Sequence, residues 1–340
     1  MFISEIERSF ENSIQPWARA STDWVHPEAG PDGRKLRTHY IHLKTDPSRV
    51  LISISGTHGP EAFVGSLIQQ QILKRFHEIG VKPNGPSVVF VHNLNCFGSA
   101  WVRRGNHQNV DLNRNAWNGK RPLNLEFERY APFLSARSTP EFWSRLAAQL
   151  PDISRFGIGP VLEAIARGQA THPNLLFYAG SQRTPELRQL QAWLKSELNP
   201  QVLFALDAHT GLGFFKQESL IGEPDLSAQK AQDLESLFKT KLIDTRSPGY
   251  YPTTGTLGNL FPETFPTASI GYLTQEFGTR NLLTVMKTLI LENARWQNQK
   301  SMDPKRIEPM LHAFFPSEPD WQEHVVSRGV QRFLELYDSL

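Results

Sequence analysis

The chain has 340 residues, 39% of them hydrophobic, which is enough for one large α/β domain or two small ones. A net charge of +2 on scattered basic residues disfavours nucleic-acid binding, and the lack of an eighteen-residue apolar run excludes a membrane-spanning helix. The single cysteine, Cys96, excludes an intrachain disulfide, and the first ten residues lack the apolar core of a signal peptide, so we expect a cytoplasmic protein.

The first informative segment is a strand-to-helix turn. Residues 50–55 form a β-branched apolar run typical of a buried strand, Gly56 interrupts it, and Pro60 begins a helix with an apolar face. His58 and Glu61 lie in that turn, so both side chains can point to one place above the sheet. An imidazole and a carboxylate are two of the three protein ligands that a catalytic zinc ion requires. A histidine and a glutamate at this spacing arise about once by chance in such a chain, so further candidate ligands are needed to indicate a metal site.

Two later apolar runs predict further buried strands that carry candidate ligands or acid-base residues. Residues 201–209 end on His209, with Asp207 on the same face as a candidate to orient an imidazole, and residues 267–277 bring Glu276 to the end of a third strand. The carboxyl ends of strands meet at the ligand-binding edge of open α/β sheets, so these groups should converge with the first turn. We therefore predict one zinc ion per chain, bound by His58, Glu61 and His209.

Five segments resemble the zinc carboxypeptidase family, which has the fold of carboxypeptidase A. In chain order they are its first metal motif (residues 56–61), substrate-binding segment (104–115), second metal motif (206–210), mobile tyrosine segment (251–256) and catalytic glutamate strand (275–278). The pentapeptide Asp-Leu-Asn-Arg-Asn at residues 111–115 would arise by chance only about once in ten thousand chains of this size.

A closer resemblance is to an uncharacterised branch of that family, known mainly as a domain of unknown function. The segments that suggest this branch are residues 55–58, 101–104, 168–178 and 209–213. The chain departs from the wider family at residues 95–98, where Asn-Cys-Phe-Gly replaces the Asn-Pro-Asp-Gly of many carboxypeptidases. This departure affects the shape of the pocket rather than the metal chemistry.

The resemblance implies a role for each site residue. Glu276 would act as general base and then general acid, and Arg104 would stabilise negative charge on the carbonyl oxygen. Asn113 and Arg114 would bind a substrate carboxylate, and Tyr251 would close over the scissile bond. Arg114 could instead form a structural ion pair with a neighbouring aspartate, Asp111, and Tyr251 could simply pack at a loop edge. Residues 256–259 would line the specificity pocket, and none of these four residues is charged.

The spread of the site from His58 to Glu276 argues for a single domain spanning residues 1–340. We predict an α/β fold in which helices flank a mixed, mostly parallel central sheet, as in the zinc carboxypeptidases. Residues 118–173 form a helical insert, with apolar residues at helical spacing, and helices follow Gly278 and close the chain from residue 321.

The leading functional hypothesis is a zinc-dependent amide hydrolase of the carboxypeptidase type, acting on a small-molecule or peptide substrate with a free carboxylate. The setting of Tyr251 favours peptides. The alternative is an N-acyl amino acid deacylase, like the related aspartoacylase and succinylglutamate desuccinylase, which a cytoplasmic location and residues 95–98 favour. A non-catalytic metal- or peptide-binding module, and a thiol hydrolase acting through Cys96, are further alternatives. Neither a nucleic acid nor a membrane is expected as partner, and the oligomeric state is open.

Overall fold

The computed structural model describes residues 2–119, 121–222, 226–243 and 252–340. Within these residues one sheet contains the strands β1 (Ser21–Ala29), β2 (Lys35–Leu43), β3 (Asp46–Ile54), β4 (Pro86–His92), β5 (Val202–Gly211), β6 (Glu218–Gly222) and β7 (Ser269–Gly278). The helices are α1 (Phe2–Ser13), α2 (Ala62–Ile79), α3 (Cys96–Ala100), α4 (Phe127–Leu134), α5 (Thr139–Ala147), α6 (Leu150–Phe156), α7 (Ile158–Ala166), α8 (Pro185–Glu197), α9 (Ala228–Phe238), α10 (Leu260–Thr264), α11 (Leu282–Asn298), α12 (Pro304–Phe314) and α13 (Pro319–Ser339). Short 3-10 helices span Gln15–Ala20, Gly59–Glu61, Leu112–Arg114 and Leu257–Asn259.

The sheet is mixed, with the strand order β1-β2-β4-β3-β5-β7-β6. The four central strands β4, β3, β5 and β7 run parallel, whereas β1, β2 and β6 pair antiparallel with their neighbours. The predicted class, an α/β fold with a mixed central sheet flanked by helices, is confirmed. The three predicted strands are confirmed as β3, β5 and β7, although β5 and β7 each continue two residues past the expected functional residue.

The central strands are apolar on both faces because helices cover both sides of the sheet. On one side α2 and α13 pack on the sheet through residues such as Phe76 and Phe333. On the other side α8 and α10 do so, for example through Leu190 and Phe261. This double cover explains why the strand sequences show apolar runs rather than alternation.

The insert is helical as predicted and contains four short helices, α4 to α7. Together with α11 and α12 they form a separate apolar cluster beside the sheet. The predicted helices after Gly278 and at the end of the chain are confirmed as α11 and α13. No helix among the described residues is long and apolar enough to cross a membrane.

The topology brings three strand ends together. In the register of β3 and β5, Ile54 pairs with Asp207, and in that of β5 and β7, His209 pairs with Glu276. Because these strands are adjacent and parallel, the segments that leave them share one edge of the sheet.

Candidate metal and catalytic site

The turn between β3 and α2 sets the positions of His58 and Glu61. Gly56 has a φ of +74°, which favours glycine, and it turns the chain at the end of the strand. Gly59 lies against α3 so closely that a Cβ atom there would be 2.0 Å from the carbonyl carbon of Gly98. This close approach lets the 3-10 turn Gly59–Glu61 sit deep against the sheet, with both candidate ligands buried.

His58, Glu61 and His209 form one compact cluster. His58 Nδ1 lies 3.0 Å from Glu61 Oε1, and His209 Nδ1 lies 3.0 Å from Glu61 Oε2. The candidate ligand atoms of all three lie within 4.8 Å of one another, and each residue is at most 3% exposed. The Glu61 carboxylate thus stands between two imidazoles.

Two further carboxylates hold the outer nitrogens of these imidazoles. His58 Nε2 is 3.1 Å from Asp111 Oδ1, and His209 Nε2 is 2.8 Å from Asp207 Oδ2. The Asp207 carboxylate also accepts hydrogen bonds from the hydroxyls of Thr57 and Tyr272. A carboxylate only accepts, so each Nε2 carries a hydrogen and donates it. Because each Nδ1 faces an oxygen of Glu61, each ring can satisfy both carboxylates either as an imidazolium or as a neutral imidazole whose Nδ1 lone pair binds a cation.

This arrangement fits a divalent cation. Burial would lower the pKa of His209, but Asp207 and Glu61 raise it well above its usual value, so these carboxylates favour positive charge between them. A divalent cation can supply that charge in place of the Nδ1 protons, since both Nδ1 atoms face oxygens of the Glu61 carboxylate. Two imidazole nitrogens and one carboxylate are the ligands of many catalytic zinc sites. Burial by itself would raise the pKa of Glu61, but His58 and His209 outweigh it and hold that pKa below its usual range.

Glu276 stands next to the cluster on the neighbouring strand. Its side chain is buried, and its Oε1 accepts a hydrogen bond of 2.8 Å from the Leu212 N–H. Burial and then the charge of Glu61 raise the pKa of Glu276 to about 7. A carboxyl group that titrates near neutrality can both accept and return a proton at physiological pH.

Arg104 also lies beside the cluster. Its Nε donates to Asp111 Oδ2 at 2.9 Å, and its Nη1 lies 3.8 Å from Glu61 Oε1. Asp111 therefore joins Arg104 to His58. An ion pair between Asp111 and Arg114 stays the alternative prediction for Arg114. Asp111 is the first residue of the Asp-Leu-Asn-Arg-Asn pentapeptide, and this was the signal in the sequence for the residue. No role beside His58 and Arg104 was predicted for it.

Asn113 and Arg114 complete the polar side of the same cavity. The buried Arg114 guanidinium donates from Nε to the Ala166 carbonyl at 2.8 Å, so the end of the insert fixes its position. The side-chain oxygen of Asn113 accepts from the Leu257 N–H at 2.8 Å. Both residues line a cavity of about 130 Å³ that also contains the metal cluster, Arg104 and Glu276. Tyr251 lies outside the described residues.

Much of the remaining lining of this cavity is apolar, which was not predicted from the sequence. The wall residues are Leu162, Ile165, Phe177, Leu212, Leu282, Val285, Met286, Leu289 and Phe314. Most come from α7 of the insert and from α11. Of the predicted specificity segment, Thr256 lines the cavity, whereas Leu257 is buried in the core.

The family model described as a protein of unknown function, DUF2817, matches residues 5–328. The chain belongs to the DUF2817 family. No curated protein matches it.

Several solved structures resemble this DUF2817 protein. Bovine thrombin-activatable fibrinolysis inhibitor is 12% identical, with 97% of each chain covered and a TM-score of 0.45. A metallo-carboxypeptidase from Burkholderia cenocepacia is 13% identical over 96% of this chain and 69% of its own, with a TM-score of 0.44. The murein-tripeptide amidase MpaA from Escherichia coli O157 is 16% identical over 84% of this chain and 94% of its own, with a TM-score of 0.41.

A second group of metal-ligand type in this DUF2817 chain consists of His26, His107 and Glu186. Its chemistry suits a structural hydrogen-bond network better than a metal. The side-chain amide of Asn106 donates to both Glu186 oxygens at 3.1 Å, and the Glu28 N–H donates to His26 Nδ1 at 3.0 Å. His26 then carries its hydrogen on Nε2 and donates it to Glu186.

The lone thiol does not form part of the site. Cys96 is buried beside Leu36 and Trp296 and does not line the cavity that holds Glu276. Burial raises the pKa of the Cys96 thiol, which disfavours the nucleophilic thiolate.

Proposed function

We propose that this protein is a zinc-dependent amide hydrolase of the carboxypeptidase type, which cleaves the amide bond next to a free carboxylate in a peptide or peptide-like substrate. One observation carries the proposal. A single cavity is lined by a His-Glu-His cluster, a buried carboxyl group whose pKa is near 7, and the guanidinium groups of Arg104 and Arg114. These are the groups that amide hydrolysis and carboxylate recognition require together.

His58, Glu61 and His209 would hold one zinc ion. When bound, zinc supplies a Lewis acid that polarises a carbonyl group and lowers the pKa of water to about 7. Asp111 and Asp207 keep both imidazoles in the tautomer that presents Nδ1 to the ion.

Glu276 moves the protons of the reaction. Its carboxylate takes one proton from the attacking water as the C–O bond forms, and returns it to the nitrogen as the C–N bond breaks. One water is consumed, and an acid and an amine are released. The hydrogen bond from the Leu212 N–H occupies Oε1 and so leaves Oε2 for the proton.

Arg104 stabilises the charge that develops on the carbonyl oxygen. Asp111 fixes its Nε, so the guanidinium is preorganised beside the cluster. A fixed donor of this kind typically accelerates such a reaction by about 10²–10³.

Arg114 and Asn113 bind the substrate carboxylate, and Tyr251 closes over the scissile bond and donates a hydrogen bond to the substrate. For Arg114 the support is its burial in the cavity wall and the anchoring of Nε by Ala166. A planar guanidinium suits a carboxylate. For Tyr251 the support is the resemblance of residues 251–256 alone.

The test is a mass-spectrometric digest of a mixed pool by the zinc-loaded protein. The pool contains peptides with free C-termini, the same peptides amidated, and N-acyl amino acids. We expect release of amino acids from compounds that carry a free carboxylate, with loss of single C-terminal residues from the free peptides and none from the amidated ones. Release of amino acids only from the acylated compounds would establish the deacylase alternative instead, and no product from any compound would favour the binding module.

A further inference from the structure

A second cavity of about 480 Å³ opens beside the candidate site. We call it the Phe214 groove. Its walls are mainly apolar and include Leu212, Phe214 and Phe215. It shares four lining residues with the site cavity, namely Leu162, Gly211, Leu212 and Leu282. A ligand in the site can therefore extend into the groove without leaving apolar contact.

The groove adjoins the Glu276 end of the site. The shared residue Leu212 donates its N–H to Glu276, whereas Asn113 and Arg114 line only the site cavity. A substrate whose carboxylate lies at Arg114 and whose amide lies at Glu276 would thus direct its acyl side towards the groove.

The turn that carries the two phenylalanines is fixed rather than loose. The Phe214 N–H donates to Gln217 Oε1 at 3.0 Å, and the Gln217 N–H donates to the Phe214 carbonyl at 2.8 Å. Two more backbone hydrogen bonds join this turn to Gly278 at the end of β7. A Cβ at position 278 would lie 1.9 Å from the Phe214 carbonyl oxygen, so glycine is required for this contact.

This rigid turn holds apolar surface in solvent. Phe214 is 85% exposed, the largest exposed fraction among the large apolar side chains in the described part of the chain, and Phe215 is 41% exposed. Exposed apolar surface of this kind, beside a cleft, is typical of a binding surface. Because the turn is hydrogen-bonded at both ends, its outward phenylalanines cannot be explained as a poorly packed loop.

We propose that the Phe214 groove binds an extended apolar group on the acyl side of the scissile amide. The substrate class is then a carboxylate-bearing amide with a long apolar acyl part, such as a fatty acyl chain on an amino acid. This inference rests on the part of the proposed function that peptides and N-acyl amino acids share, hydrolysis of an amide bond next to a free carboxylate, and adds to it the chemistry of the acyl side.

The test compares N-acetyl-, N-butanoyl-, N-hexanoyl- and N-octanoyl-leucine as substrates of the zinc-loaded protein. We expect kcat/KM to rise by about two- to fourfold for each added methylene until the groove is filled. In the double variant Phe214→Ala/Phe215→Ala the octanoyl-to-acetyl ratio should fall at least about tenfold. Ile79→Ala is the matched control, since Ile79 is 66% exposed at the end of α2 and lines neither cavity. A ratio that the two phenylalanines do not affect would overturn the proposal.

A binding measurement separates this inference from the proposed activity. Calorimetric titration of the zinc-loaded Glu276→Gln variant with N-octanoyl- and N-acetyl-leucine should show tighter binding of the octanoyl compound, and this difference should disappear when Phe214 and Phe215 are also replaced. If no amide is hydrolysed but the difference remains, the proposed function fails and the groove assignment stands. Equal affinities for the two compounds would refute the groove assignment, whatever the activity.

Two peptide substrates test whether the apolar group is a fatty acyl chain or a peptide side chain. Acetyl-Phe-Leu and acetyl-Gly-Leu differ only in the side chain on the acyl side. A larger dependence of kcat/KM on acyl chain length than on this side chain supports the fatty acyl substrate. A preference for acetyl-Phe-Leu together with a flat acyl series would overturn it in favour of peptides.

Discussion

Asp111 shows how one side chain can connect two parts of the candidate site. One of its oxygens meets His58 Nε2 at 3.1 Å, and the other accepts from Arg104 Nε at 2.9 Å. Burial alone would raise the pKa of Asp111, but Arg104 and His58 hold it well below its usual range, so the group is ionised. Its charge therefore orients a candidate metal ligand and an arginine at the same time.

Replacing Asp111 should weaken both functions. In Asp111→Asn the amide oxygen can still accept from only one partner, and the NH₂ group faces a donor on the other. We expect zinc affinity to fall about 10- to 100-fold and kcat to fall with it. Chelator competition measures the first and steady-state kinetics the second. Asp233→Asn, at an exposed position on α9, is the control, and zinc affinity equal to the control would refute the positioning role.

A substitution of Glu276 should separate zinc binding from catalysis. Glutamine keeps the acceptor for the Leu212 N–H but cannot take a proton. Turnover by Glu276→Gln should therefore drop about 10²-fold or more, while the protein still binds zinc. Kinetics and metal analysis on the same sample test both statements. Glu323→Gln, exposed on α13, should leave both unchanged. Unchanged turnover in Glu276→Gln would remove Glu276 from the mechanism.

At the scale of elements, Glu186 ties the first turn of α8 to two distant segments. It contacts His26 of β1 at 3.1 Å and His107 of the 104–115 segment at 3.7 Å, and its own side chain is fully buried. Burial would raise the pKa of Glu186, but these two histidines and the backbone at the start of α8 lower it to about 2. The ionised carboxylate thus holds the 104–115 segment against the helix.

This depressed pKa predicts a pH dependence of stability. A carboxyl group with a lower pKa in the folded than in the unfolded chain stabilises the fold above its unfolded pKa of about 4.5, and this contribution is lost as the pH falls from about 4.5 to 2. This lowering of the pKa of Glu186 corresponds to a contribution of roughly 3 kcal/mol to the free energy of unfolding. Urea unfolding between pH 2 and 6 should show a smaller loss of stability for Glu186→Gln than for the wild type. Parallel curves would contradict this role.

At the scale of the whole molecule, the cluster of candidate metal ligands links separate parts of the sheet. Glu61 precedes α2 and His209 lies on β5, far apart in sequence, so an ion held between them binds the folded chain only. Zinc in hundredfold excess over its dissociation constant should stabilise the protein by about 2.7 kcal/mol. Thermal unfolding with and without zinc measures this effect.

Metal analysis should give one zinc ion per chain. His209→Asn removes one ligand and should abolish both the bound zinc and its stabilising effect. His107→Gln alters the second histidine group, which we interpret as structural, and should keep one ion. A stoichiometry of two in the wild type, falling to one in His107→Gln, would show that the second group also binds metal.

The local signals in the sequence were sufficient for the strands and for the cluster of ligands. Each predicted ligand follows or ends a strand with an apolar run, and adjacent parallel strands place their ends at one edge. Asp111 and the cavity wall were not predicted. The apolar faces of α7 and α11 look in sequence like ordinary core faces, because periodicity shows that a helix face is apolar but not what it faces.

The amino-acid sequence by itself determined the α/β class, the strands β3, β5 and β7, and the order of the candidate motifs, because these depend on periodicity and on short-range spacing. Only the tertiary structure decided that Asp111 joins Arg104 to His58, that helices of the insert and α11 form an apolar wall, and that Phe214 stands exposed beside the site. Those features depend on contacts between residues distant in the chain, and the packing of the whole molecule determines them.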